Sequence, residues 1–195
     1  MDPQQVAQHK WSHMEVSVLL TSTTALTELS VYDAMKIATL MYTRPVKKGE
    51  ILMQEGTLSN NHMLLILNGE CVVENESVKK ADSLVLSVVG AGNIIGEMGV
   101  FDGEPRSATC KAFTDMEVAV LDKDALAKLI SQEPAVGCKL LAAILQRTSG
   151  RLRATNKKLR LLSQVARSLE REVEILTKSA VVAPATPFVG NPLMS

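Results

Sequence analysis

A seven-residue repeat of apolar side chains runs through the last third of the chain. It comprises eleven positions in two interleaved registers, and only two of them are polar, threonine in both cases. The positions of this seam are Leu141, Leu145, Thr148, Leu152, Thr155, Leu159, Leu162, Ala166, Leu169, Val173 and Leu176. The pattern is typical of a coiled coil, and a small domain cannot bury a helix of that length alone. We therefore predict a long dimerisation helix over residues 135–177, paired in parallel with a second copy, rather than a helix folded back on its own domain.

The middle of the chain, from residue 42 to about residue 121, has the pattern of an all-β domain. Short β-prone runs recur at intervals of about ten residues and are separated by glycines. These runs are ILMQ, MLLILN, CVVE, LVLSVV, NIIGEM, SATCKA and EVAVL. They predict a sandwich or barrel with hairpins. Asn68-Gly69 predicts a tight turn, because both residues tolerate a positive φ.

Helical spacing flanks this β region on both sides. Residues 26–41 carry apolar side chains at helical intervals, with Ser30 as a candidate N-cap. Asp122 and Asp124 open a second helix, which Pro134 interrupts. The predicted fold is therefore mainly β with flanking helices and a long C-terminal helix.

The same patterns divide the chain into four parts. A polar segment, residues 1–24, precedes the β domain with its flanking helices, residues 25–134. The long helix, residues 135–177, is followed by a proline-containing tail, residues 178–195, that we expect to be flexible. Three roles stay open for the first segment: to cover the β domain, to pair with a second copy, or to bind a partner.

Composition and charge exclude several classes of protein. The 21 basic and 21 acidic side chains balance, which argues against a generally basic protein that coats nucleic acid. No apolar run is long enough for a transmembrane helix, and the N-terminus lacks the apolar centre of a secretory signal. Three cysteines without a CxxC spacing, Cys71, Cys110 and Cys138, predict buried free thiols in a reducing compartment. Together these features predict a cytoplasmic protein.

The densest cluster of unusual residues is the stretch IGEMGVFDGEPRSAT at residues 95–109. Its glycines let backbone N–H groups approach an anion closely, and a short helix beginning at Glu97 or Met98 would direct N–H groups toward the same anion. Arg106 supplies a positive charge whose geometry suits phosphate oxygens, and Ser107 adds a hydroxyl donor. Glu97 suits a sugar hydroxyl. Spacing alone leaves two interpretations open: a site for a singly charged phosphodiester, or a turn followed by a surface arginine.

This stretch resembles the phosphate-binding cassette of the cyclic-nucleotide-binding domain family. The resemblance extends through PVKKGEILMQEG at residues 45–56 and LNGECVV at residues 67–73. It implies an eight-stranded, jelly-roll-like β-roll that binds a cyclic nucleotide without a metal. The residues that it assigns to the ribose and the cyclic phosphate are Gly96, Glu97, Met98, Arg106 and Ser107. Within that set it assigns the Glu97 carboxylate to the 2′-hydroxyl.

The segment GRLRATNKKL, at residues 150–159, resembles part of the dimerisation helix of the catabolite activator protein. The resemblance implies that Thr155 and Asn156 reach the base of the nucleotide across the dimer, although Thr155 alone also suits a residue that determines coiled-coil register. Asn156 stands where that relative has serine, and its amide suits adenine or guanine. A serine at position 107 occurs in family members that bind the adenine nucleotide. We therefore expect cyclic AMP in preference to cyclic GMP.

The resemblance also implies what kind of protein this is. Transcription factors of the family continue past the long helix into a helix-turn-helix domain, whereas the residues after Leu176 contain three prolines. We expect neither DNA binding nor enzyme activity, but a stand-alone, bacterial-like sensor that signals to an unidentified partner protein through a shift of its dimerisation helix. The alternative is a dimeric scaffold protein whose β-roll binds no nucleotide.

Two further features suggest other ligands. A basic run without intervening acidic residues raises the hypothesis of a nucleic-acid binder, but we interpret it as a solvated helix face. The run consists of Arg147, Arg151, Arg153, Lys157, Lys158 and Arg160. His9 and His13 have helical spacing but lack a third ligand, and His62 is expected in a distant loop, so no metal site is predicted.

Overall fold

The computed structural model of the protein describes residues 10–22, 25–58, 62–75 and 84–182. These residues form eight strands and five helices. In chain order the elements are α1 (His13–Leu20), α2 (Val31–Ala38), β1 (Tyr42–Val46), β2 (Ile51–Met53), β3 (His62–Asn68), β4 (Cys71–Asn75), β5 (Leu84–Val89), β6 (Ile94–Ile95), α3 (Glu97–Phe101), β7 (Thr109–Ala112), β8 (Met116–Asp122), α4 (Lys123–Gln132) and α5 (Pro134–Val182).

The strands form two antiparallel sheets of four strands each. Their orders are β1-β8-β3-β6 and β2-β7-β4-β5. Of the strands that follow one another in sequence, β4 and β5 pair directly, whereas the connections β3–β4 and β7–β8 pass from one sheet to the other. This arrangement is the predicted β-roll, and the eight strands and the long C-terminal helix confirm the predicted fold class.

Strand β1 has no counterpart among the predicted runs. Its sequence, YTRPV, contains Arg44 and Pro45, and proline lacks the N–H group that a central strand needs. The structure accommodates Pro45 because β1 lies at the edge of its sheet and pairs with β8 alone. Proline is disfavoured in central strands but tolerated in edge strands, so Pro45 is compatible with β1.

The tight turn at Asn68-Gly69 lies where the sequence predicts it, but it does not make a hairpin. Gly69 has a φ of +85°, and a Cβ atom there would lie 2.6 Å from the Asp115 carbonyl oxygen. Strands β3 and β4 on either side of the turn belong to different sheets. The turn therefore requires glycine for its backbone conformation and for the close approach of the chain before β8.

Strand β3 is buried on both faces and separates two apolar clusters. Leu64 and Ile66 belong to the cluster between the two sheets. Met63, Leu65 and Leu67 point to the opposite face and belong to the cluster beneath the helices. A continuous apolar run is the expected sequence of a strand with two buried faces, and the run MLLILN fits it.

Helix α1 attaches the N-terminal segment to the β domain. Val16 and Leu20 are buried in the cluster beneath the helices, and the Trp11 indole N–H donates to Glu117 Oε2 on β8 over 2.9 Å. Of the three roles left open for residues 1–24, the described residues 10–22 therefore cover the β domain. Residues 1–9 lie outside the described part of the chain.

Helix α2 is shorter than the helical spacing of residues 26–41 suggested. It begins at Val31, directly after the predicted N-cap Ser30, whose hydroxyl accepts a hydrogen bond from the Asp33 N–H over 3.1 Å. The α2 carboxylate of Asp33 also accepts from Lys139 Nζ on α5 over 2.8 Å. This ion pair joins the helix before the β domain to the helix after it.

Helix α5 begins at Pro134, one residue before the predicted start, and continues to Val182. Residues 178–182, which the sequence assigned to the tail, are therefore helical, and residues 183–195 lie outside the described residues. The chain divides into two compact units, Met1–Thr148 and Ser149–Ser195, so that α5 contributes to both. In the first unit α5 buries Val136, Leu140, Ala143 and Ile144 against the β domain.

Candidate functional site

The stretch at residues 95–109, here called the cassette, connects the two sheets. It begins at the end of β6, which pairs with β3, and it ends in β7, which pairs with β2 and β4. The short helix α3 forms directly after β6. The predicted short helix beginning at Glu97 is thus present in the structure.

Gly96 allows the chain to turn from β6 into α3. It precedes the helix with a φ of +78°, in the left-handed region that favours glycine. A Cβ atom there would overlap the Met53 side chain and would lie 2.9 Å from Arg106 Nη1. Both the backbone conformation and the close approach of Arg106 therefore require glycine at this position.

Arg106 is buried, with 7% of its surface exposed. Its Nη1 donates to the Gly96 carbonyl oxygen over 2.8 Å, and its Nη2 donates to the His62 carbonyl oxygen over 2.9 Å. Burial lowers the pKa of Arg106, and the nearby Cys110, Glu97 and Asp102 act in the opposite direction. Because arginine stays protonated even so, the fold places a full positive charge inside the cassette.

The backbone around Arg106 is bonded to the loop after β2. The Arg106 N–H donates to the Thr57 carbonyl oxygen over 3.0 Å, and the Gly56 N–H donates to the Arg106 carbonyl oxygen over 2.8 Å. Nearby, the Glu55 N–H donates to Thr109 Oγ1 over 3.0 Å. These bonds orient the arginine side chain toward Gly96 from a backbone that is fixed on both sides.

The remaining predicted contacts surround this arginine. Glu97 is buried, and its charge is close enough to influence Arg106. Met98 and Ser107 are exposed, and the Ser107 hydroxyl lies 4.0 Å from Met98 Sδ. The structure thus brings together all five residues that the resemblance assigns to the ribose and phosphate, with two of them at the surface. Their roles as ligand contacts stay predictions.

Thr155 and Asn156 belong to the second compact unit of the chain. Both lie on α5, and both are exposed. An exposed position suits either of the two interpretations of Thr155, a contact with the base or a residue of the dimer seam. The contact of these two residues with a base stays a prediction.

The His62 backbone is a part of the site that sequence reasoning missed. His62 was expected in a loop, but it is the first residue of β3, and its carbonyl oxygen accepts from Arg106. Burial, together with the positive charges of Arg106 and Arg44, lowers the pKa of the His62 imidazole, while Asp122 opposes this shift. A backbone acceptor has no side-chain signature, so only the position of His62 at a strand end could have drawn attention to it.

The described residues offer no metal site. Among them, no group of three or more histidine, cysteine, aspartate or glutamate side chains could hold a metal ion. His13 begins α1 and His62 begins β3, while His9 lies outside the described residues. In the part of the chain that the structure describes, no helix has the length and apolarity of a membrane span.

The three cysteines differ from one another in exposure. Cys71 and Cys110 are buried free thiols, as predicted, and they interact with each other across the strand pair β4–β7. Cys138 is exposed on α5, so the prediction of burial is wrong for this residue. The reason is that Cys138 falls between the buried positions of the helix, Val136 and Leu140.

A cleft of about 210 Å³ lies apart from the cassette, between residues 25–28 and the segment of α5 from Ala143 to Arg147. No predicted site residue lines it. The candidate site is therefore assigned to the cassette, where a buried cation, a left-handed glycine and a short helix meet. An antiparallel β-roll with such a loop between its sheets is the architecture that the resemblance of the cassette implies.

Comparison with known proteins identifies the family. Residues 43–133 match the model of the cyclic nucleotide-binding domain. The crystal structure of a cyclic nucleotide-binding domain from Methylobacillus flagellatus KT is 32% identical, with a TM-score of 0.63, and the match covers 72% of this chain and 78% of that one. The chain therefore belongs to the cyclic nucleotide-binding domain family, as its cassette predicted.

Two curated relatives match over part of their length. The cAMP-dependent protein kinase regulatory subunit of Yarrowia lipolytica is 30% identical over 105 residues, which is 54% of this chain and 27% of the relative. The CRP-like cAMP-activated global transcriptional regulator of Mycobacterium tuberculosis is 26% identical over 112 residues, which is 57% of this chain and 47% of the relative. The chain thus spans between about a quarter and half the length of these relatives.

Proposed function

We propose that this protein is a cyclic-nucleotide sensor that binds cyclic AMP in preference to cyclic GMP and signals through α5 without catalysing a reaction. The observation that carries the proposal is the buried guanidinium of Arg106 inside the cassette. A buried cation is costly unless its N–H groups have strong acceptors. The cyclic phosphate of such a nucleotide is a phosphodiester with one negative charge, which matches this site.

The phosphate would replace neutral acceptors with a charged one. In the structure two guanidinium nitrogens donate to the carbonyl oxygens of Gly96 and His62. Both bonds are already charge-assisted by the guanidinium, but a phosphate oxygen adds an opposite charge and bidentate geometry, so it competes well for the same donors. Ser107, exposed beside Met98, supplies a further donor, and Glu97 is the acceptor for the ribose 2′-hydroxyl.

Two observations support the preference for the adenine nucleotide. Ser107 is the residue found in family members that bind cyclic AMP, and the two curated relatives described above are both named for cyclic AMP. Thr155 and Asn156 are the candidate contacts for the base. Because an amide both donates and accepts, Asn156 by itself suits either purine.

We infer that α5 makes the protein a homodimer and transmits the signal. Leu152, Leu159 and Leu162 lie on the predicted seam and are exposed in the structure. The resemblance to the catabolite activator protein implies that Thr155 and Asn156 of one copy then contact the base of the nucleotide bound by the other. A ligand that binds differently to two positions of α5 shifts the balance between them, which a partner protein could then recognise.

The first test is thermal unfolding of the full chain with cyclic AMP, cyclic GMP or linear AMP, each at about 1 mM. A ligand that binds the native state raises the unfolding midpoint by mass action. We expect the largest rise with cyclic AMP, a smaller one with cyclic GMP and none with linear AMP. If neither cyclic nucleotide raises the midpoint, the chain is better explained as a dimeric scaffold.

The second test removes the charge of the cassette. Arg106→Ala should weaken cyclic AMP binding by roughly 2–5 kcal/mol, or about 30- to 5,000-fold, measured by titration calorimetry. Arg106→Lys keeps the charge but loses the planar donor geometry, so its loss should be intermediate. Arg151→Ala changes an exposed arginine of α5 and serves as the matched control. Unchanged binding by Arg106→Ala would contradict the proposed phosphate site.

A further inference from the structure

Arg147 differs from the other residues of the basic run on α5. Its side chain is partly buried, whereas Arg151, Arg153 and Lys157 are exposed. Its Nη1 donates to the Ala25 carbonyl oxygen over 3.2 Å. Its Nη2 donates to Asn93 Oδ1 over 3.3 Å and to the Ile94 carbonyl oxygen over 3.4 Å. The interpretation of the run as a solvated face therefore does not apply to Arg147.

The segment that Arg147 contacts is the one that leads into the cassette. Ile94 begins β6, and Gly96, two residues later, accepts from Arg106. Two arginines, one in the loop between α3 and β7 and one on α5, thus donate to the same short segment, residues 93–96, from its two ends. Arg106 belongs to the candidate site, and Arg147 belongs to α5.

This segment is well placed to transmit a displacement. Ile94 and Ile95 are both buried, each in a different apolar cluster. The Ile66 N–H on β3 donates to the Asn93 carbonyl oxygen over 2.9 Å, which anchors the start of the segment. A short strand packed on both faces has little freedom to deform internally, so a shift at Gly96 changes the geometry at Ile94.

We propose that Arg147 is a positioning residue that couples occupancy of the cassette to the position of α5, an inference that rests on the proposed function. When a phosphate competes for the guanidinium, the hydrogen bond from Arg106 to Gly96 weakens and the segment 93–96 shifts as a unit. The hydrogen bonds of Arg147 to Asn93 and Ile94 carry that change to the helix. Coupling of this kind is reciprocal, so loss of Arg147 alters how Arg106 contributes to binding.

A double-mutant cycle tests the coupling. Cyclic AMP affinity is measured for the wild type, Arg106→Lys, Arg147→Gln and the double variant. We expect the two effects to be non-additive by more than about threefold, as for coupled residues. The control pair combines Arg106→Lys with Arg151→Gln, which removes the same charge one turn later at an exposed position, and it should be additive within about twofold. Additive effects in the Arg147 cycle would overturn the proposal.

A second measurement does not use Arg106→Lys, so weak cyclic AMP binding by that variant cannot affect its result. Hydrogen exchange of residues 134–148 is followed with and without saturating cyclic AMP in the wild type and in Arg147→Gln. The wild type should show a ligand-dependent change in this part of α5, and Arg147→Gln should bind but lose at least half of that change. An equal change in both proteins contradicts the role of Arg147. Failure of the wild type to bind any cyclic nucleotide contradicts the proposed function instead.

Discussion

The two halves of α5 have the same helical periodicity but opposite surroundings. In the first half, Val136, Leu140 and Ala143 are almost completely buried in the cluster beneath the helices, against the β domain. In the second half, Leu152 and Leu159 recur at the same kind of spacing, yet both are exposed. An apolar stripe on a helix therefore indicates that a surface is to be covered, but the stripe alone does not say by what.

The two stripes also differ in register. The buried stripe runs through Val136, Leu140 and Ala143 to Arg147, whereas the seam begins one position later, at Leu141. The buried stripe becomes polar at Arg147, one residue before the first compact unit ends at Thr148. Arg147 thus occupies a core-facing position at the end of the packed half, and this explains why it contacts Ala25 and Asn93 instead of solvent.

The largest expected effect concerns the exposed half. If a second copy covers the seam, Leu159→Asp places an unpaired charge in each half of the interface. The dimer dissociation constant should rise by at least about 1,000-fold, equal to roughly 4 kcal/mol. Sedimentation equilibrium measures this, and the matched control is Leu161→Asp. Leu161 is also an exposed leucine, 53% against 64% for Leu159, but it lies off the seam. Equal effects of the two changes would contradict the predicted seam.

A somewhat smaller effect is expected in the buried half. Leu140→Ala removes a fully buried side chain beneath the β domain and should lower the free energy of unfolding by about 2–5 kcal/mol. Chemical denaturation of the dilute protein provides the measurement. Leu152→Ala is the control, because its effect should depend on protein concentration while that of Leu140→Ala should not. The comparison between the halves fails if both effects vary with concentration in the same way.

The smallest expected effect concerns the ion pair that attaches the first half of α5 to α2. The hydrogen bonds from Lys139 and Ser30 hold the pKa of Asp33 below its ordinary value. A lowered carboxyl pKa stabilises the folded state above the unfolded pKa, near 3.9, and this stabilisation is lost as the pH falls through the folded pKa. Asp33→Asn should therefore lower the Tm at pH 7 by no more than about 3 °C, because Lys139 is largely exposed.

The pH series itself provides the control for that prediction. The difference between wild type and Asp33→Asn should begin to shrink below about pH 4, where the carboxyl of the unfolded chain becomes protonated, and should be lost as the pH falls through the lower pKa of the folded state. Glu174→Gln breaks the exposed pair with Lys178 in the second half of the helix and should change the Tm less than Asp33→Asn does. A difference that persists unchanged into acid would contradict the role of the Asp33 charge.

Much of the fold could be read from local patterns. The seven predicted β runs overlap strands of the structure, Ser30 caps α2, and the long helix begins within one residue of its predicted start. Strand β1 was missed because Pro45 is acceptable only at a sheet edge, and edge position is not a local property. The pairing of strands was not predicted either. The alternation of apolar and polar side chains specifies which face of a strand is buried, but not which strand lies beside it.

In the candidate site, too, some residues were predicted from the sequence and others were found only in the structure. Gly96, Glu97 and Arg106 were found from residue type and spacing, because a left-handed turn and a phosphate-sized charge depend on particular side chains. The acceptors of Arg106 and the partners of Arg147 were not found. They are mainly backbone carbonyl oxygens, at Gly96 and His62 in one case and at Ala25 and Ile94 in the other.

Through side-chain type and spacing, the sequence by itself determined the β-rich middle of the chain, the long helix and its apolar seam. The resemblance of the cassette then identified the family and implied the β-roll. Only the tertiary structure decided that Arg106 is buried and that Cys138 is exposed. It also decided that Arg147, unlike the exposed residues of the basic run, contacts β6. The physical reason is that every residue has a carbonyl group. Which carbonyl groups meet an arginine depends on how strands and helices pack, not on which side chains they carry.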